Sequence, residues 1–474
     1  MNPRRAKIIA TLGPSSNTID VIIELIKAGM NCARINMSHG THADHKRVIQ
    51  TVREASRKID REVAILLDLQ GPKIRVDKLS SPLELKKDED WVIGASSVQA
   101  QYKKYKDRFI PTVYEQLVSD AQVGARILFD DGNIEAQAIE KDGDILKIKI
   151  IEGGILKSNK GINLPNVKVS APSFTAKDEE DLVFGLENDI DYVAISFVRT
   201  ADDIIKVQNF MKAKGYDIPL IAKIEKPEAL ENIDEIIHHA NMIMIARGDM
   251  GVEVGNHLVP AVQKDLINRC NLVGRPVITA TQMLESMISH SRPTRAEASD
   301  VANAVWDGTD VIMLSGETAS GEYPVQAVRM MAQIVMEAEK NPKERPLLRK
   351  QKLIGVTQTI QVAASLIAEK IEAKWILSVT ETGRSCFKMT RFRPSNKVLG
   401  VTKSLQAVRR MCLYWGIAPF YLESKGEESI EYQMIELLKE RGLVSRGDKV
   451  VITHGRGNFF EEGSTNLVRV EEID

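Results

Sequence analysis

Along the first two-thirds of the chain, short runs of aliphatic and β-branched residues alternate with longer stretches whose apolar positions recur every three to four residues. The short runs are Lys7–Leu12, Cys32–Met37, Val63–Leu69, Tyr192–Phe197, Leu220–Glu225, Met242–Arg247, Val277–Thr281 and Val311–Leu314. Their length and composition predict strands. The helix-period stretches include Ile19–Ala28, Ala43–Ile59, Ala201–Lys214, Pro260–Val273 and Ala296–Trp306. Eight strand-helix units predict a (β/α)8 TIM barrel, which takes about 250 residues. An open doubly wound sheet, with its usual five or six strands, fits the pattern less well.

The third unit is interrupted. After Asp68 no helix follows for about a hundred residues, and the intervening text alternates in the period of two that marks strands. Asp131-Gly132 and Asp142-Gly143 stand between Ala125–Phe129, Ile134–Ile139 and Ile145–Ile151, the dipeptide signature of tight hairpins. Residues 71–169 are therefore expected to form a small all-β domain on the rim of the barrel, placed to act as a lid that excludes water. The barrel would be made of residues 1–70 and 170–341. Beyond Asn341-Pro342-Lys-Glu-Arg-Pro346, strand-like runs at Trp375–Thr380, Val398–Thr402, Lys449–Thr453 and Asn466–Val470 alternate with helices near Thr357–Ile371, Leu405–Leu413 and Ile430–Arg441. Residues 347–474 read as a separate C-terminal α/β domain.

Composition narrows the function classes. The 474 residues are 43% hydrophobic and 27% charged, with 64 Lys and Arg against 65 Asp and Glu. That balance excludes a broad basic nucleic-acid surface but permits a local phosphate pocket. Apolar runs of about five residues are far short of a membrane span, and Ile8–Leu12, ended by Gly13-Pro14, is too short for a signal-peptide core. The four cysteines, Cys32, Cys270, Cys386 and Cys412, include no Cys-x-x-Cys pair and read as reduced thiols of a cytoplasmic protein.

Catalytic groups of a barrel enzyme come from the C-terminal ends of its strands. Here those ends carry Arg34, Asn36, Ser38 and His39; Asp68, with Lys73 and Arg75 beyond; Lys223 and Glu225; Arg247, Gly248 and Asp249; Thr281; and Ser315 with Glu317. Singly, each has an ordinary reading. Lys223 and Glu225 share a strand face and could be a structural ion pair, Asp249 could cap a helix, Ser315 and Thr281 could be satisfied hydroxyls, and His39 could be a turn residue. Together they suit a divalent cation and a phosphate. Glu225 and Asp249 give two protein oxygens, which fits magnesium because it keeps waters. Arg34, Arg75 and Lys223 supply the positive clamp that phosphoryl transfer requires.

The stretches Ala10-Thr-Leu-Gly-Pro-Ser15, Ala33-Arg-Ile-Asn-Met-Ser-His-Gly40, Leu67-Asp-Leu-Gln-Gly-Pro-Lys-Ile-Arg75, Ala222-Lys-Ile-Glu225, Ile245-Ala-Arg-Gly-Asp249, Ala280-Thr-Gln-Met-Leu-Glu285, Ser291-Arg-Pro-Thr-Arg-Ala-Glu297 and Met313-Leu-Ser-Gly-Glu-Thr318 resemble the pyruvate kinases, in order and over essentially the whole chain. The resemblance implies transfer of the phosphoryl group of phosphoenolpyruvate to ADP, giving ATP and, after protonation of an enolate, pyruvate. It gives Lys223 the transferring group, Glu225 and Asp249 a Mg²⁺ (or Mn²⁺) ion, and Arg34 the phosphate. The substrate carboxylate falls to the Gly248 backbone with Thr281. Thr281, with Ser315 and Glu317 as a relay, orders the protonation. Asn36, His39, Arg75 and Lys160 resemble nucleotide-phosphate contacts. A homotetramer is implied as well.

Two departures stand out within that family. The monovalent-cation pocket keeps Asn36, Ser38 and Asp68, but Leu69 has no side-chain oxygen and Lys73 stands where most members carry glutamate. The set Leu69, Gln70, Lys73 and Val76 resembles the potassium-independent subgroup, in which K⁺ is not required, with Lys73 expected to fold back onto Asp68 and supply the charge. In the C-terminal domain, Thr380, Thr382, Gly383, Arg384 and Ser385 open a helix after a strand, an arrangement that binds anions, and the family's phosphorylated allosteric effector uses this loop, with Arg456 facing it. An ordinary capped helix is the other reading. Two other function classes share features with the chain. A catalytically silent homologue is disfavoured by the presence of Lys223, Glu225 and Asp249. A barrel lyase acting on phosphoenolpyruvate would not need Arg75, Lys160 or the lid.

Overall fold

The computed structural model describes residues 4–341, 355–423, 430–455 and 465–474. Eight parallel strands close into a barrel. In chain order the first three are β1 (Lys7–Thr11), β2 (Cys32–Asn36) and β3 (Ala64–Asp68). The lid strands follow: β4 (Leu83–Leu85), β5 (Asp90–Ala95), β6 (Phe109–Thr112), β7 (Arg126–Phe129), β8 (Ile134–Asp142), β9 (Ile145–Glu152), β10 (Gly154–Leu156) and β11 (Ile162–Asn163). The barrel then resumes with β12 (Tyr192–Ile195), β13 (Leu220–Ile224), β14 (Met242–Ala246), β15 (Val277–Ala280) and β16 (Val311–Leu314). Around the ring the order is β1-β16-β15-β14-β13-β12-β3-β2.

Because strand side chains alternate, each barrel strand feeds two cores. Ile9, Leu66, Tyr192, Met244 and Ile278 fill the interior, while Ile8, Ile65, Val193, Ile243 and Ile312 pack outward on the helices. With both faces covered, the strands read as continuous apolar runs, and a polar group at a strand's C-terminal end stands out.

The lid is a six-stranded sheet, β11-β7-β8-β9-β5-β6, with β10 and β4 paired beside it. The expected hairpins join β7 to β8 and β8 to β9. The sheet is not closed by a ladder. The neck strip Ile74–Val76 spans the gap through isolated bridges, Arg75 to Gly161 and Val76 to Thr112. Ile162 N–H donates to Ile74 O, and Val113 N–H to Arg75 O. The neck is therefore part of the lid's own hydrogen bonding, which ties Arg75 to the lid and not to the barrel.

The C-terminal unit is a five-stranded sheet, β19-β18-β17-β20-β21, built from β17 (Trp375–Val379), β18 (Lys397–Thr402), β19 (Ile417–Tyr421), β20 (Lys449–Gly455) and β21 (Thr465–Glu472). Strand β19 has no counterpart in the sequence-based expectation. It carries Pro419, tolerated because β19 is an edge strand. The unit docks under the N-terminal mouth of the barrel. Cys412 and Leu413 join the interior core, Tyr192 Oη donates to Arg410 O (2.6 Å), and Arg393 pairs with Asp310 (2.9 Å) at the foot of β16. No described helix is long and apolar enough to cross a membrane.

Candidate active site

Lys223 is the hub. It comes from β13, where the register places it beside Met244 of β14, and its side chain, 12% exposed, stands at the C-terminal mouth. Its Nζ donates to Ser196 Oγ (2.7 Å) and lies 3.1 Å from Glu225 Oε1 and 3.4 Å from Asp68 Oδ1. Asp68, in register with Asn36 of β2, also accepts from Arg34 Nε at 2.7 Å. Arg34 in turn donates to Thr11 Oγ1 (2.9 Å). Charges thus alternate from β2 and β3 to the end of β13, as Arg34, Asp68, Lys223 and Glu225. Charges this buried persist only when neutralised locally.

Their titration follows from that neighbourhood. Burial works against the charge of Lys223, but Asp68 and Glu225 more than offset it and hold its pKa above the ordinary lysine value. Burial would raise Asp68, yet Lys223 and Arg34 outweigh it and leave its pKa below the usual range. Glu225 differs. Burial pushes it up, Lys223 pulls it down, and the nearby Asp249 carboxylate adds to the rise, so its pKa stands above the ordinary value. A second carboxylate that opposes the ionisation of Glu225 is what a cation between the two would relieve.

The donor set suits a divalent cation. Glu225 Oε1 is buried, and beyond its 3.1 Å contact with Lys223 it has no partner among the described residues. Its Oε2 accepts from Phe197 N–H (2.9 Å). Asp249 sits half-buried in the first turn of helix Arg247–Val254. Among the described residues no group of three or more His, Cys, Asp and Glu is arranged around a metal. Two carboxylates therefore suit an ion that completes its shell with water and substrate oxygens.

Three non-glycine residues take left-handed backbone at this rim, Phe197 (φ 56°), Thr281 (φ 63°) and Gln282 (φ 53°). For a β-branched residue such as Thr281 that conformation is strained. Arg247 holds the strained loop, donating to Thr281 O (2.8 Å) and Gln282 O (3.0 Å) while pairing with Asp300 (2.7 Å). Gly248 N–H donates to Thr281 Oγ1 (2.7 Å), so the two groups expected to share a substrate carboxylate are bonded to each other here.

Several expectations change. Glu317 is fully buried, and both its oxygens accept backbone N–H groups, from Leu284 (3.1 Å) and Ser315 (2.7 Å). These two bonds hold the loops at Leu284 and Ser315. Ser315 Oγ is buried without a hydrogen-bond partner among the described residues. Lys73 does not pair with Asp68, whose charge partners are Arg34 and Lys223. Its stem instead lies along the lid edge, where a Cβ at Gly161 would stand 3.2 Å from Lys73 Cε. The neck strip carries Lys73 away with the lid, which sequence spacing could not show. Of the pocket residues, Asn36 Oδ1 accepts from Ser38 N–H (3.2 Å), and Leu69 is buried in the outer core.

Two of the expected nucleotide contacts, Arg75 and Lys160, lie on the lid side, while Asn36 and His39 stay at the end of β2. Arg75 donates to Asn159 O (2.9 Å), and Lys160 pairs with Asp130 (2.6 Å). His39 is an exposed residue, yet partial burial of its ring, and then Arg75, Lys73 and Arg34, press its pKa below the ordinary value. Lys73 therefore belongs to this cationic group.

In the C-terminal unit, Gly383 takes φ 86° and its N–H donates to Thr380 Oγ1 (3.0 Å), opening the helix Arg384–Thr390. Ser385 shares a hydrogen bond with Thr465 (2.8 Å). Arg384 is exposed and Thr382 half-buried, and Arg456 lies outside the described residues. Sequence reading missed Ser196, Phe197 and the grip of Arg247. Arg247 alone gave a signal, as a charge ending an apolar strand.

Comparison with known proteins agrees with this geometry. A family model described as pyruvate kinase, barrel domain, matches residues 3–328, and one described as pyruvate kinase, alpha/beta domain, matches residues 358–471. A pyruvate kinase of Geobacillus stearothermophilus is 42% identical over 481 residues, covering 99% of this chain and 80% of that protein. A pyruvate kinase of Staphylococcus aureus (strain MRSA252) is 40% identical over 477 residues, with the same coverage.

Proposed function

The chain belongs to the pyruvate kinase family and transfers the phosphoryl group of phosphoenolpyruvate to ADP, and on that premise we propose how its own residues divide the work. The observation that carries the proposal is the Lys223 ammonium, held by Ser196, Glu225 and Asp68 at the strand ends. Arg34 and Lys223 bind the phosphate and stabilise the charge that develops on the transferring group. As the phosphorus–oxygen bond of phosphoenolpyruvate breaks, a terminal oxygen of ADP takes the phosphoryl group and an enolate remains. Thr281, strained and held by Arg247, orients the group that delivers a proton to the enolate carbon. Ser315 Oγ has free hydrogen-bonding capacity for that step, and Glu317 positions it.

Glu225 and Asp249 would hold a Mg²⁺ or Mn²⁺ ion, which when bound neutralises substrate oxygens. Arg75, Lys160, His39 and Asn36 meet the ADP phosphates as the lid descends. The enzyme works without K⁺, because position 69 offers no oxygen and Lys73 adds a fixed positive charge on the nucleotide side. We also propose that it is a cytoplasmic homotetramer, and that Thr380, Thr382, Gly383, Arg384, Ser385 and Arg456 bind a phosphorylated effector. The alpha/beta-domain match and the turn at Thr380–Gly383 support the effector loop.

The direct test is formation of pyruvate from phosphoenolpyruvate and ADP, followed through NADH oxidation by added lactate dehydrogenase, with and without Mg²⁺, K⁺ and a panel of sugar phosphates. ADP-dependent turnover that needs Mg²⁺ and not K⁺ is expected, and a sugar phosphate should raise the affinity for phosphoenolpyruvate by about 5- to 150-fold. Kinetics and thermal midpoint unmoved by the whole panel would reduce the loop to a helix cap.

A further inference from the structure

Helix Arg247–Val254 carries two carboxylates one turn apart, Asp249 and Glu253, which places them on the same face. Asp249 belongs to the reacting centre, but Glu253 does not. Glu253 is 3% exposed, and a single oxygen, Oε1, accepts from Lys226 Nζ (2.7 Å) and from Asn163 Nδ2 (2.9 Å). Its Oε2 is buried with no hydrogen-bond partner among the described residues. A half-satisfied buried carboxylate is an expensive arrangement for packing alone.

What Glu253 joins is informative. Asn163 lies in β11 of the lid, three residues beyond Lys160. Lys226 follows Glu225, and its Nζ stands 5.9 Å from the centroid of the Phe197 ring. The same helix meets the lid again at Val252, 4.0 Å from where a Cβ at Gly132 would sit. A cavity of about 30 Å³ lies along this seam, lined by Lys73, Asn163, Phe197, Lys226 and Glu253 among others. One carboxylate oxygen thus links the lid, the helix bearing Asp249 and the loop after Glu225.

We propose that Glu253 is a positioning residue, the clasp that sets the attitude of the lid over the active site so that Lys160 and Arg75 meet ADP. It touches no reacting atom. The inference rests on the assignment of ADP to the lid side, which Lys160→Met tests separately.

The experiment compares Asn163→Ala, Asn163→Asp, Glu253→Gln and the double variant Asn163→Asp/Glu253→Gln in the full-length enzyme. The readouts are kcat, KM for ADP and for phosphoenolpyruvate, and hydrogen exchange over residues 159–164. Asn163→Ala should raise KM for ADP about tenfold, equivalent to about 1.4 kcal/mol, with kcat and KM for phosphoenolpyruvate within about twofold. Exchange over 159–164 should quicken while the barrel strands stay protected. Asn163→Asp should be worse, because two carboxylates then face each other. The double variant exchanges amide and carboxylate across the same contact and should return KM for ADP to within about threefold of wild type. Rescue of that kind separates a clasp from a merely structural site. Should Glu253→Gln lower the thermal midpoint severely, the two Asn163 variants decide, since that side chain is only half-buried. Single variants with unchanged KM for ADP and unchanged exchange, or a double variant no better than Asn163→Asp, would overturn the proposal. Faster exchange with KM for ADP unmoved in both Asn163→Ala and Lys160→Met would keep the clasp and overturn the nucleotide assignment instead.

Discussion

Replacing Lys223 by methionine removes the central cation of the site while keeping much of the volume of its stem. At an effective dielectric near 20, two unit charges 3.1–3.4 Å apart interact by about 5 kcal/mol, and Lys223 has two such partners in Glu225 and Asp68. Asp68 would keep Arg34 at 2.7 Å. Glu225 would keep only the Phe197 N–H, so the uncompensated charge falls on it. Breaking a buried pair from one side costs roughly 3–5 kcal/mol. Part of that is recovered if Glu225, whose pKa burial already raises, takes up a proton. The catalytic loss is separate, because a preorganised charge aimed at the developing transition-state charge contributes about 10²- to 10³-fold in kcat, or ~2.7–4 kcal/mol. Lys223→Met is therefore expected to lose at least about 100-fold in turnover in the pyruvate assay while phosphoenolpyruvate still raises its thermal midpoint. Its midpoint without ligands should fall, and Mg²⁺ should restore more of it than in wild type, since a divalent cation beside Glu225 replaces the missing charge. Turnover within about tenfold of wild type would remove Lys223 from the phosphoryl-transfer step.

Further outcomes follow from the same geometry. Glu225→Gln and Asp249→Asn should each raise the Mg²⁺ concentration for half-maximal activity by tenfold or more (about 1.4 kcal/mol), and unchanged Mg²⁺ titrations in both would make these carboxylates structural. Activity in buffer free of K⁺ and NH₄⁺ should match that in K⁺, and Leu69→Thr with Lys73→Glu should create a K⁺ requirement; wild-type stimulation by K⁺ of about tenfold would refute this. Lys7 is buried under the barrel, with its Nζ donating to Ile417 O (2.7 Å), and burial lowers its pKa from 10.5 to about 8. Between those two values the unfolded chain binds more protons than the fold, so stability rises with pH across that window, by something on the order of 3 kcal/mol. Lys7→Met abolishes that proton uptake, so its thermal midpoint relative to wild type should fall as pH is raised from 7 to 10. A difference that stays constant with pH would show that Lys7 titrates normally.

The sequence by itself determined the barrel and the polar residues at its mouth. Parallel strands covered on both faces must be apolar throughout, so Arg34, Asp68, Lys223 and Glu225 are conspicuous wherever an apolar run ends in charge. Two Asp-Gly dipeptides marked the lid hairpins, each setting a left-handed glycine, Gly132 or Gly143, in the turn. Tertiary structure decided everything that depends on which distant atoms meet. Strand β19 forms despite Pro419 because it lies at a sheet edge, which local pattern does not reveal. Lys73 is five residues from Asp68 yet belongs to the lid, because the neck strip is hydrogen-bonded into the lid sheet. Ser196 reaches Lys223 only through the pairing of β12 with β13, and the left-handed backbone of Phe197 and Thr281 is imposed by partners such as Glu225 and Arg247. Glu253 looked like any helix carboxylate. Folding brings Asn163, 90 residues earlier in the chain, onto the same oxygen as Lys226, and periodicity carries no information about a contact that far along the chain.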